Sequence, residues 1–167
     1  MENRHSYRVV AWWSSGKTGL AKTDSAPNAI HFTAPPEFGG MEGRWTPESL
    51  LLCSIAGCYT TTFRAIAEYS KFEYSDLEVL VEGAIQKVES GYAFTEISIR
   101  PNLSIADAPE QARGLRLLHK AKSLCLDRGQ SRFRRYLILE FRLTMRSLFD
   151  RTHLQKTAPR GSDEFQV

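Results

Sequence analysis

Cysteine is scarce in this chain. There are three, an odd number and too scattered for a secreted disulfide scaffold. No Cys-x-x-Cys or His-x-x-x-His pair is present, so a zinc site is not expected. No apolar stretch of signal length follows the polar opening Met1–Tyr7, and a reducing cytoplasm is the expected home. A large charge imbalance is missing too: the net charge is +3, which by itself points to no polyanionic partner. Internal repeats and low-complexity stretches are absent. Gly16-Lys17-Thr18 looks like the end of a phosphate-binding loop, but position 11 is Ala11 where that motif needs glycine, and no suitable helix follows. A nucleotide site is excluded on those grounds.

What is present is an ordinary globular composition, 42% hydrophobic and 25% charged, in 167 residues, enough for one domain with a real core. We place that domain over residues 1–146 and a disordered tail over 147–167, where periodicity stops. The chain centres on Arg44–Lys71. Thr46 suits an N-cap, Pro47 the first helical position and Glu48 the positive end of the helix dipole. Beyond them Leu50, Leu51, Leu52, Cys53, Ile55, Ala56, Cys58, Phe63 and Ile66 leave no polar face, the pattern of a helix buried on most sides. Ser54 and the run Thr60–Thr62 argue against a membrane span.

Strands are expected at Tyr7–Trp13, Leu20–Thr23 and Ile30–Thr33. Alternating apolar residues predict a hairpin of Asp76–Lys87 with Tyr92–Arg100, the chain leaving it at Pro101. A second helix opens at Pro109 and Glu110 and runs to Cys125; Tyr136–Met145 is a last strand. Antiparallel strands in groups with two helices give an α+β class.

The chemistry rests on the cysteines. A buried cysteine is often a small apolar filler, and Cys53 is read so. It lies about 140° round the helix from Cys58, so the two need not share a site. A reactive cysteine must be a thiolate with a cation close by. Glu48 could hold an arginine by a bidentate ion pair and aim it at Cys58. Arg44, just ahead of the helix, and Lys17, in the first turn, are the available cations.

The segment Pro47-Glu48-Ser49-Leu50-Leu51 through Ala56-Gly57-Cys58, followed by Lys122-Ser123-Leu124-Cys125, resembles the signature of the OsmC/Ohr family of thiol-dependent organic hydroperoxide reductases. The resemblance implies an intertwined α+β homodimer, with antiparallel sheets wrapped around two long central helices. It implies that Cys58 is the peroxide-attacking thiolate, that Cys125 is the resolving thiol, and that Glu48 orients the activating cation. No metal or prosthetic group would be needed, only an external dithiol such as a lipoyl group. The family takes its activating arginine from the turn between the first strands or from the segment ahead of the helix; here those places hold Lys17 and Arg44. A second departure is Asp127–Arg135, polar where the family is apolar, which a compensated frameshift would explain. A non-catalytic relative, holding an apolar ligand or a partner in the dimer cavity, is the alternative. The arginines around Arg132-Phe133-Arg134-Arg135 suggest a weaker nucleic-acid reading, and no recognition motif accompanies them.

Overall fold

The computed structural model describes residues 4–106, 108–127, 137–140 and 142–145. The polar segment after Asp127, which a frameshift would explain, and the tail expected over 147–167 lie outside the described residues.

The chain folds as two sheets and two helices. Strands β1 (Val9–Ser15), β2 (Thr18–Thr23) and β3 (Ile30–Phe32) form an antiparallel sheet in that order. Gly16 and Lys17 are only the turn between β1 and β2, so the phosphate-loop-like triplet opens no helix. Helix α1 covers Pro47–Tyr69, within a residue or two of the expected span. Its start is capped reciprocally: Ser49 N–H donates to Thr46 Oγ1 at 3.2 Å and Thr46 N–H to Ser49 Oγ at 2.8 Å. The preceding loop is shaped by a short 3-10 turn at Pro36–Phe38 and by Gly40, where a Cβ would overlap the Ala34 carbonyl.

β4 (Asp76–Val88) and β5 (Gly91–Ile105) make the expected hairpin. A bulge between Ala84 and Ile85 opposes Ile85 to Phe94. The Phe94 ring then lies so close to Gly83 that a Cβ there would force the ring to shift.

β5 does not end at Pro101; it runs on to Ile105. Proline is tolerated because of what lies beside it. β6 (Leu137–Leu139) pairs parallel with Ile97–Ile99, β7 (Arg142–Met145) pairs parallel with Asn102–Ile105, and Arg100 and Pro101 face the gap between them. A missing amide there costs no ladder bond on that side. The expected single last strand is thus two short ones, and the sheet is mixed.

Helix α2 (Gln111–Asp127) lies against α1. The core gathers Tyr59, Phe63, Ile66 and Ala67 of α1, Leu117, Leu118 and Ala121 of α2, Phe72, and Ile99, Leu103 and Ile105 of β5. Phe63 sits edge-on to Phe72 and Tyr74, with ring centroids at 6.5 and 5.3 Å.

One expectation fails in an instructive way. By length and composition α1 could cross a membrane, and its all-round apolarity predicts burial on most sides. Within the chain only its second half is buried, at Tyr59, Phe63, Ile66 and Ala67, while Cys53, Gly57 and Cys58 are exposed. Cys53 is therefore no core filler here. Every residue of β1 is exposed as well, with Trp12 and Trp13 45% and 58% accessible. The first sheet is tied to the rest by the Phe32–Trp45 bridge and by Thr33 N–H on the Trp45 carbonyl at 2.9 Å. Among the described residues nothing covers these two apolar surfaces.

Candidate active site

Two helical positions distant in sequence meet at the open side of α1. Cys58 stands in mid-helix and Cys125 in the last turns of α2, and the Cys58 thiol donates to the Cys125 carbonyl at 3.8 Å. The packing of Tyr59 and Phe63 onto Leu118 and Ala121 sets the two helices side by side and brings this about. Around the cysteines lies a cavity of about 600 Å³, lined among others by Thr61, Ala65, Ile66, Tyr69, Lys120 and Leu124. Its lining is mostly apolar, which suits an organic molecule better than water.

Burial, and then the Cys58 sulfur beside it, push the Cys125 thiol up to about 12. Cys125 thus rests as a neutral thiol at physiological pH. Any reaction that needs its thiolate will quicken about tenfold per pH unit while the pH stays below that value. Alkylation of Cys125 in the reduced protein should accordingly climb steadily from pH 7 to 9. A pH series of iodoacetamide labelling read by peptide mass spectrometry measures it, and a plateau near pH 8 would contradict the raised pKa. The linkage has a definite sign: the folded state holds this proton more tightly than the unfolded chain. Its contribution to stability is complete below pH 9 and is lost as pH rises toward 12.

The remaining sequence candidates lie elsewhere in the chain. Glu48 precedes Cys58 by ten residues on one helix, an axial separation of about 15 Å. That is too far for a carboxylate-held arginine to be aimed at Cys58 in the same chain. One Glu48 carboxylate oxygen is buried and has no hydrogen-bond partner among the described residues. Arg44 and Lys17 are exposed, and neither lines the cavity. Among the described lining residues the cation is Lys120, which sequence reading passed over. The five-residue step from Lys120 to Cys125 carries no signal until α2 is known to face α1. Tyr59 was missed for the same reason; its buried hydroxyl donates to the Leu118 carbonyl at 2.9 Å.

Residues 40–126 match the model of a protein family described as OsmC-like protein, and they include α1, the hairpin and both site cysteines. The chain belongs to the OsmC-like family. A curated relative, the uncharacterized protein YmaD of Bacillus subtilis, is 26% identical over 125 residues, spanning 73% of this chain and 83% of that one. Among solved structures, an OsmC-like protein of unknown function from Vibrio cholerae superposes with a TM-score of 0.70 at 15% identity, covering 83% of this chain and 99% of the other. An organic hydroperoxide resistance protein from Elizabethkingia anophelis gives 0.66 at 18% identity, with 87% and 100% covered. At such identities the structures establish the fold, an OsmC-like α+β arrangement, in agreement with the sequence reading.

Proposed function

We propose that this OsmC-like protein is a cytoplasmic thiol peroxidase that reduces organic hydroperoxides to alcohols. The observation that carries the reading is the Cys58 thiol held against Cys125 in the lining of an apolar cavity. The name of the Elizabethkingia structural relative, an organic hydroperoxide resistance protein, supports it.

The Cys58 sulfur attacks the terminal peroxide oxygen and the O–O bond breaks. The alkoxide leaves and is protonated to the alcohol, and Cys58 becomes a sulfenic acid. The Cys125 sulfur then attacks the Cys58 sulfur. An S–S bond forms, and the departing hydroxyl leaves as water with the proton of Cys125. An external dithiol of the lipoyl kind undergoes two exchanges, ends as a disulfide and returns both thiols. No metal or prosthetic group enters these steps.

The working unit on this reading is a homodimer. A second copy would cover the open side of α1 and the face of β1, surfaces too apolar to stay in water unpartnered. It would also supply what one chain keeps 15 Å away by the estimate above: Glu48 of one copy beside Cys58 of the other, with Arg44 or Lys17 as the cation it orients. Sedimentation equilibrium should return twice the chain mass of 18.9 kDa, and a monomer at micromolar concentration would count against this assembly.

The exposure of Arg44 and Lys17, away from the cavity, favours the alternative reading, a non-catalytic protein that keeps an apolar ligand in it. Mass spectrometry after cumene hydroperoxide treatment separates the two. The peroxidase yields a Cys58–Cys125 disulfide; the binder keeps two free thiols.

A further inference from the structure

We infer that Tyr59 is a positioning residue for the second, disulfide-forming step, fixing α2 against α1 so that Cys125 meets Cys58. The inference rests on the peroxidase reading and deepens it.

Tyr59 follows Cys58 directly, yet the two residues touch α2 at different places. Cys58 meets it at Cys125 and Tyr59 meets it at Leu118. Those contacts are seven residues apart, two helical turns, which puts them about 20° from one line along α2 and roughly 10 Å apart on its axis. Core packing sets the helices side by side, and two polar contacts about 10 Å apart restrain how far α2 slides along α1. The Tyr59 bond goes to a backbone carbonyl, so it fixes the helix itself and not a side chain that turns independently. Its partner has no need of it, because a carbonyl within α2 already receives the amide of Lys122 in the ordinary helical pattern. Volume does not explain the hydroxyl either, since phenylalanine would fill the same wholly buried space. A polar group placed there costs desolvation, and the bond it makes joins the cysteine-bearing helices. Burial, and then the nearby Cys125, raise the phenol's pKa, so it remains a donor throughout the cycle.

The first step needs only Cys58 and peroxide, and the second needs both helices in register. Tyr59→Phe should therefore separate them. With the full-length protein and cumene hydroperoxide, stopped-flow loss of the Cys58 thiol should match the wild type. Disulfide formation, followed by acid quench and mass spectrometry, should slow about fivefold, the equivalent of one net hydrogen bond of about 1 kcal/mol. Sulfenic acid trapped by dimedone should rise in step. Placing 4-aminophenylalanine at position 59 keeps a donor and should restore the second rate. Equal second-step rates in wild type and Tyr59→Phe would overturn the inference. So would an equal fall in both steps, which marks a general loosening, or a failure of the amino analogue to rescue. Absence of any disulfide in the wild type is a different result: it removes the peroxidase reading, and this inference with it.

Discussion

Cys58→Ser should abolish peroxide-dependent thiol consumption, a fall on the order of a hundredfold or more, because no other described thiol both lines the cavity and is suited to attack first. The alternatives are few among the described residues. Cys53 lies on another side of α1 and does not line the cavity. Cys125 does line it, but burial and the neighbouring Cys58 sulfur hold it protonated, so it is a poor first attacker. The serine hydroxyl keeps the volume and the hydrogen bond to Cys125 within reach, so the fold should survive and the circular dichroism spectrum should not change. Cys125→Ser should behave differently, reacting once and then stalling as a sulfenic acid that more peroxide carries to the irreversible sulfinic state. The measurement is dithiol oxidation coupled to tert-butyl hydroperoxide in all three proteins. Wild-type rates in Cys58→Ser would remove Cys58 from the mechanism and favour the binder.

Phe63→Ala should destabilise the protein by roughly 3–5 kcal/mol, the usual cost of emptying an aromatic site in a core that does not collapse into it. The ring is wholly buried, and it touches Phe72 and Tyr74 edge-on, contacts that add to its burial. It also sits where α1, α2 and the sheet converge, so neighbours on three sides must all move to close the gap. For a chain of this size the loss corresponds to a fall of about 10 °C in melting temperature. Differential scanning calorimetry at fixed protein concentration measures it. A shift below about 3 °C would mean that the core repacks freely. Leu124, exposed at the cavity wall, is the control: its truncation should leave the melting temperature nearly unchanged.

Most of the elements and their α+β class are legible in the amino-acid sequence, which marks Cys58 and Cys125 only through a family resemblance. Thr46, Pro47 and Ser49 start α1 by local rules that need no tertiary partner, and the alternation of Asp76–Lys87 with Tyr92–Arg100 fixes a hairpin by a period of two. The spacing from Glu48 to Cys58, with a later Cys125, carried the family resemblance, and the match over residues 40–126 agrees with it. Tertiary structure decided the rest. Pro101 ends no strand because its missing amide faces a gap between β6 and β7, and that gap exists only once three segments pair. The apolarity of α1 predicts that something covers it, but periodicity does not say whether the cover comes from the same chain. Helix packing alone brought Cys58 to Cys125, and it set Tyr59 on Leu118 as a second fixed point. The same helix kept Glu48 ten residues away, since a rise of about 1.5 Å per residue separates along the axis what the sequence sets in one motif. Local rules act over a few residues, whereas a site is made by contacts across the whole chain.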